Sequence, residues 1–305
     1  MLRRLIQQAL IGVVRPYVAA ELPGWGPVYS SLIGTYKRDA FWSNAPTRRG
    51  RNKFFGFECE FDLRLWADRQ AFFLGRWYDL PTQLLAHAVG GGTIIDIGAN
   101  RGDFAMAAAA MYPEGRVIAF EPNPNIYLVL KRDLADNHIT NVEVRECALG
   151  DREESLRLHV PFANSGSASF GGFVAEGFTT QALPVRVGDD ELRDVDPDFI
   201  KIDVEGFELK ALKGLRQTIE RAKPIIETEL MEENLARCGT SRKEVESFMC
   251  ELGFKGFGMD LARNGSDHEL RLGKLGTTWD AVWLPAGVDP NSLRASTKDL
   301  RQFKP

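Results

Sequence analysis

The chain is poor in several things that would decide its class at once. Its four cysteines, Cys59, Cys147, Cys238 and Cys250, form no C-x-x-C pair, which argues against a disulfide framework and against a thiolate zinc cluster and favours a reducing, cytoplasmic setting. No stretch approaches the roughly 20 consecutive apolar residues of a membrane span. No internal repeat is visible. No G-x-G-x-x-G occurs, so the usual dinucleotide fingerprint is missing. With 44% hydrophobic and 26% charged residues over 305 positions, an ordinary folded protein of one large domain, or two, is expected.

Charge is placed unevenly. Residues 1–53 carry 9 Lys/Arg against Glu21 and Asp39, a net of +7, and the other 29 basic and 40 acidic residues leave a net of −11. The body is therefore a poor nucleic-acid binder, and only the arm can be drawn to phosphate. The arm opens MLRRLIQQALIGVVRPY. On a helix, Leu2, Ile6, Leu10, Val13 and Tyr17 share one face while Arg3, Arg4, Gln7, Gln8 and Arg15 gather on another. Gln7, Gln8 and Arg15 break the apolar run, which excludes a transmembrane span and argues against a signal peptide. The helix packs on its own domain or on a dimer mate, or lies on anionic lipid as a peripheral contact.

Three segments are expected: a basic arm with an amphipathic helix over 1–56, a domain over 57–285, and a loosely ordered polar tail over 286–305. Phe57 to Leu65 alternates as a half-buried strand does, and helical lead-in follows at 71–78 and 82–89. From Thr93, apolar strands alternate with helical patterns: 93–97 then 104–112, 116–120 then 124–137, 142–147, 199–203 then 205–222, 225–229 then 242–252. Such alternation predicts a doubly wound α/β fold with helices on both faces of a mostly parallel sheet. Ser155–Val160 and Ala182–Val187 flank a Gly/Ser-rich tip at 164–172 and predict an inserted hairpin whose tip can close as a lid. The segments 253–259 and 278–284 predict two last strands, paired antiparallel.

The turn T-I-I-D-I-G-A-N-R-G-D-F, Thr93 to Phe104, should form part of a binding site, because open α/β sheets bind ligands at the carboxyl ends of their strands. It contains Arg101-Gly102-Asp103, an integrin-type tripeptide, but one that follows an apolar strand and should not be exposed. Gly98 and Gly102 allow close backbone approach, and Glu121, ending the second strand, can accept hydrogen bonds from two ribose hydroxyls. Both NAD and S-adenosylmethionine fit that outline. Asp96, two residues before Gly98, would repel a pyrophosphate but suits the ammonium and sulfonium of S-adenosylmethionine.

Four stretches together, Asp96-Ile-Gly-Ala-Asn-Arg-Gly, Ala119-Phe-Glu-Pro-Asn-Pro, Cys147-Ala-Leu-Gly-Asp and Phe199-Ile-Lys-Ile-Asp-Val-Glu-Gly-Phe-Glu, resemble the FkbM family of S-adenosylmethionine-dependent methyltransferases. Leu212-Lys-Gly and Lys223-Pro-Ile-Ile continue the likeness, which runs from about Phe57 to Leu284. The resemblance implies a class I methyltransferase, Rossmann-like fold: a seven-stranded sheet with an antiparallel last strand. It implies that Asp96, Gly98, Asn100 and Gly102 surround the methionine portion of the cofactor, that Glu121 holds the ribose, and that Cys147 and Ala148 lie beside the adenine. It also implies O-methylation of a hydroxylated sugar, glycolipid or polyketide-type acceptor. A non-catalytic protein using the same fold as a scaffold, or a nicotinamide oxidoreductase, are the alternatives.

A hydroxyl needs a base or a metal nearby to lose its proton. Asp203, Glu205 and, in the hairpin, His159 are the candidate catalytic residues. Asp203, Glu227 and Glu229, at the ends of two adjacent strands, are the candidate ligands for Mg²⁺ or another divalent cation, because clustered carboxylate oxygens suit a hard cation. Alternatively Glu205 and Glu229 pair with Lys201, Lys210 or Arg221, and Glu208 is structural.

Overall fold

The computed structural model describes residues 2–34, 36–76, 79–161, 169–171, 178–265, 267–276 and 278–303. Thirteen strands are described. In chain order they are β1 (Thr47–Arg51), β2 (Glu58–Asp62), β3 (Thr93–Ile97), β4 (Arg116–Phe120), β5 (Val142–Arg145), β6 (Ala148–Gly150), β7 (Glu154–Pro161), β8 (Phe178–Val187), β9 (Phe199–Ile202), β10 (Ile225–Glu229), β11 (Phe254–Asn264), β12 (Asp267–Gly273) and β13 (Asp280–Pro285). The main sheet runs β12-β11-β13-β10-β9-β3-β4-β5. β3, β4, β5, β9 and β10 are mutually parallel, and β13 is antiparallel to both β10 and β11. Seven strands match the expected arrangement. The eighth, β12, is an extra edge strand hairpinned to β11, which its half-exposed, mixed polar sequence did not announce.

Near-continuous apolar runs in the central strands follow from burial on both faces. Ile94, Phe199 and Ile225 face one core under helices Leu80–Val89 and Asp103–Met111, while Ile95, Ile97, Ile200 and Ile226 face a second core under helices Glu208–Gly214 and Arg242–Glu251. The expected helix 205–222 is two: Glu208–Gly214 and Arg216–Ala222, separated at Leu215. The expected strand 142–147 stops at Arg145, and Ala148–Gly150 joins the hairpin in a separate sheet ordered β6-β8-β7. A Cβ on Gly214 would stand 1.9 Å from the carbonyl oxygen of Gly150, so this close approach holds the second sheet to the helix.

The boundary expected at 56/57 falls between paired strands, since β1 and β2 form an antiparallel ladder from Thr47↔Asp62 to Arg51↔Glu58. The arm is also packed. Helical residues 2–19 include a wide π turn at Leu10–Val14, which shifts the phase of the side chains. Leu10 and Tyr17 turn toward the core, but Leu2, Ile6 and Val13 face outward, dividing the expected apolar face. Polar side chains do the docking. Gln7 Nε2 donates to the Phe41 carbonyl at 2.8 Å, and Arg15 Nε donates to that of Phe72 at 2.9 Å, its guanidinium 4.4 Å from the Phe72 ring centre. Glu21 pairs with Lys53 and Arg76 and lies in hydrogen-bond contact with His268; burial opposes its charge, but these partners outweigh it and hold the carboxyl near about 2.

The tail expected to be loose is ordered where described. A capping box of Ser296 and Asp299 starts the turn Thr297–Leu300, Leu293, Ala295 and Leu300 are buried, and Thr297 Oγ1 donates to Asp267 on β12 at 2.9 Å. Its apolar residues are too few and too close together to show a period. Among the described residues, no helix is long and apolar enough to cross a membrane.

Candidate functional site

The first turn is built by three consecutive demands on the backbone. Gly98, Asn100 and Gly102 all have positive φ, at +82°, +50° and +85°. Gly98 N and Ala99 N both donate to the Phe120 carbonyl at 3.0 Å, which folds the turn against the end of β4. A Cβ on Gly98 would stand 1.9 Å from the Asp203 carbonyl oxygen, and one on Gly102 would stand 2.1 Å from Leu130. Glu121 ties two turns together: its Oε2 accepts from Asn100 N and its Oε1 from Asn123 N, both at 2.8 Å. Burial pushes its carboxyl up to about 7, against the pull of those amides. Arg101 points away from the cleft to Asp68, Asp133 and the Glu60 carbonyl, so the Arg-Gly-Asp triplet is a structural turn.

The cleft that opens here lies at the carboxyl ends of β3, β4, β9 and β10, where open α/β sheets bind ligands. Gly98 to Asn100 and Glu121 form one wall. Phe120, Ile126, Cys147 to Leu149, Leu158, Phe170 and Phe207 form an apolar side, with Phe170 and Phe207 ring centres 5.0 Å apart. Burial, with Glu191 adding to it, raises the Cys147 thiol to about 12, so it presents a neutral surface rather than a nucleophile. The opposite side is acidic: Asp79, Asp103, Asp203, Glu205 and Glu229 line it, with Lys201 the cation among the described lining residues.

Register explains how these charges meet. Asp96 pairs with Lys201, which pairs with Glu227, and one step on Glu229 pairs with Asp280. Side chains in register on neighbouring strands share a face. A row of ionisable groups therefore crosses the sheet beneath helix Leu80–Val89. Lys201 Nζ lies 3.1 Å from Asp203 and 3.8 Å from Asp96. Burial disfavours its charge, but Asp203, Asp96 and Glu227 overcome that and hold it well above the usual lysine value. Asp96 and Asp280 are pushed up to about 6, Glu205 to about 8 and Glu229 to about 10, in each case first by burial and, for all four, also by Asp203.

The loop after β9 holds Glu205 with positive φ, +53°. Asn234 Nδ2 donates to its carboxylate at 2.5 Å, and Ser169 Oγ donates to its carbonyl at 2.6 Å. Glu208 is structural, as expected, but by accepting the amides of Val204 and Gly206 at 3.1 Å rather than by an ion pair. One oxygen each of Asp203, Glu205 and Glu229 fall within 4.8 Å of one another. The pairing expected to neutralise them goes elsewhere: Lys201 takes Asp203 and Asp96, and Arg221 takes Asp196.

With this geometry in place, the comparisons decide the family: the model of the methyltransferase FkbM domain matches residues 96–255, more than half of the chain. The chain belongs to the FkbM methyltransferase family. It is 27% identical over 146 residues to Methyltransferase 1 of Beauveria bassiana (strain ARSEF 2860), covering 40% of this chain and 57% of that protein. It is 30% identical over 159 residues to Methyltransferase sdnD of Sordaria araneosa, covering 40% of this chain and 60% of that one. The match thus spans less than two thirds of either relative. A solved FkbM methyltransferase from Methylobacillus flagellatus KT aligns at 22% identity with a TM-score of 0.38, over 63% of this chain and 43% of that chain.

Within this FkbM domain the expected residues divide. Gly98, Asn100, Glu121, Cys147, Ala148, Asp203, Glu205 and Glu229 line the cleft. Asp96 and Gly102 are buried behind it, shaping the turn and the charge row. Glu227 is buried a step deeper, so Glu205 replaces it in the carboxylate trio. His159 is not among the lining residues; Leu158 is, and adjacent strand residues point to opposite faces. His159 instead bridges Ser169 through its backbone at 2.9 and 3.1 Å. Of the expected lid tip, 164–168 and 172 lie outside the described residues; Ser169 to Gly171 are described, and Phe170 lines the cleft. Asp79, Asp103 and Phe207 were not expected in the cleft, and Lys201 was expected only as an ion-pair partner of Glu205 or Glu229. Lys201 was the findable one, because it alternates with Asp203 as Glu227 does with Glu229.

Proposed function

We propose that this FkbM chain binds S-adenosylmethionine in the cleft and transfers its methyl group to a hydroxyl oxygen of a small-molecule, sugar or glycolipid acceptor. The observation that carries the reading is the charge of the cleft: it is acidic on one side and apolar on the other, and the turn amide of Asn100 already serves Glu121. A pyrophosphate would meet carboxyl oxygens instead of N–H donors, and an occupied turn amide; a ligand with an ammonium and a sulfonium finds acceptors there. In this reading Glu121 keeps lone pairs for ribose hydroxyls, and Phe120, Cys147 and Ala148 offer a flat apolar surface for adenine.

Methyl transfer needs the acceptor oxygen in line behind the methyl carbon at roughly 3 Å, so much of the rate comes from positioning. Glu205 takes the hydroxyl proton: a carboxyl raised to about 8 is a stronger base than an ordinary one, and Asn234 fixes its orientation. Lys201 keeps Asp203 in place beside it. The three convergent oxygens of Asp203, Glu205 and Glu229 also fit a hard divalent cation such as Mg²⁺, which would polarise the acceptor hydroxyl.

The test is incubation with methyl-deuterated S-adenosylmethionine and panels of hydroxylated glycosides, glycolipids and polyketide lactones, read by mass spectrometry. Label on acceptor oxygen supports the proposal. Label on nitrogen or carbon alone would overturn the O-methyl assignment.

A further inference from the structure

The N-terminal helix buries only part of its apolar surface, Leu10, Ile11, Val14 and Tyr17 packing on the core, whereas a surface helix normally buries its whole apolar stripe. Gln7 and Val18 are buried, yet Leu2, Leu5, Ile6 and Val13 are 71%, 53%, 42% and 75% exposed, and Ala9 and Pro16 are exposed with them. Leu2, Leu5, Ile6 and Ala9 share one side of the first two turns, and Val13 and Pro16, beyond the π turn, are exposed as well. Single exposed leucines are ordinary; a run of exposed apolar side chains along one helix marks a contact.

The charges around this run identify its occupant. The two acids of the arm are already paired, Asp39 with Arg69 at 2.8 Å and Glu21 with Lys53 and Arg76 at 2.8 and 3.0 Å. Arg3, Arg4, Lys37 and Arg38 remain exposed, and they gather at one end of the helix because Arg3 and Gln7 bond the carbonyls of Ala40 and Phe41. Exposed apolar side chains with a cation cluster at one end match an anionic bilayer, with the apolar side chains among acyl chains and the cations at the headgroups. The body, with its net of −11 outside residues 1–53, is repelled by the same surface, so only the arm can lead.

We infer that residues 2–16 form a peripheral docking face for anionic membranes. The experiment is co-sedimentation of the full chain with vesicles of phosphatidylcholine alone and of phosphatidylcholine mixed with phosphatidylglycerol, at low and high salt. The expected result is binding to the mixed vesicles that salt weakens, abolished by Leu5→Asp with Val13→Asp and weakened roughly 30-fold by Arg4→Ser with Lys37→Ser. All four side chains are exposed, so thermal melting should not change. Absence of binding to the mixed vesicles, or equal binding to both kinds, would overturn the inference. So would a dimer, seen by light scattering, that the Asp variants dissolve.

Discussion

The carbonyl oxygen of Asp203 occupies the place where a side chain on Gly98 would begin, 1.9 Å from an ideal Cβ. The ends of β3 and β9 therefore meet backbone to backbone. The turn that forms one wall of the cleft and the loop that carries Asp203 and Glu205 form one unit.

Gly98→Ala tests that unit. The new methyl meets backbone rather than a flexible side chain, at a φ of +82° that alanine resists. We expect a stability loss of about 2 kcal/mol or more and at least a tenfold weaker S-adenosylhomocysteine affinity, read by denaturation and calorimetry. Unchanged melting and binding would show that the two strand ends move independently.

Lys201→Met removes a buried cation and leaves Asp96 and Asp203 facing each other without it. Breaking such a pair costs about 3–5 kcal/mol at neutral pH. Asp96 already has a folded value of about 6, above that of an unfolded carboxyl, and losing the cation raises it further. A raised carboxyl contributes stability that is present at low pH and lost as pH rises through the folded value. The deficit relative to wild type should therefore be smallest near pH 4 and grow toward pH 8. A deficit that does not vary with pH would remove Asp96 from the charge row.

Asp96, Glu121 and Glu205, at about 6, 7 and 8, gain negative charge as pH rises from 6 to 8.5. The sulfonium distinguishes S-adenosylmethionine from S-adenosylhomocysteine. The ratio of their affinities should therefore shift toward S-adenosylmethionine over that range, by roughly tenfold. A flat ratio would mean that the sulfonium does not sit among these groups.

Glu205→Gln keeps shape but not basicity. It should lower kcat by roughly 10²–10⁴ while S-adenosylmethionine still binds. EDTA separates the two ways of activating the hydroxyl: activity that survives chelation assigns the proton to Glu205 alone, whereas loss restored by Mg²⁺ assigns a cation to the trio. His159→Ala should leave kcat unchanged, since Leu158 rather than His159 lines the cleft.

The order of strands and helices was legible because β3, β4, β9 and β10 are buried on both faces and read as apolar runs closed by turns. Gly98, Asn100, Glu121 and Glu205 were legible as motif residues on those same turns. What escaped depended on tertiary position. β12 is mixed in polarity, and the tail is ordered by scattered contacts such as Thr297 to Asp267. Asp79 and Phe207 enter the cleft from a helix start and a loop that carry no period of their own. The arm misled because its π turn shifts a pattern read at 3.6 residues per turn.

Calorimetric titration with S-adenosylmethionine, S-adenosylhomocysteine and NAD tests the central claim most directly. Micromolar binding of the first two, lost in Glu121→Ala, with none of NAD, is the predicted result. Binding of NAD alone would contradict it, because the acidic cleft would then be accepting a pyrophosphate.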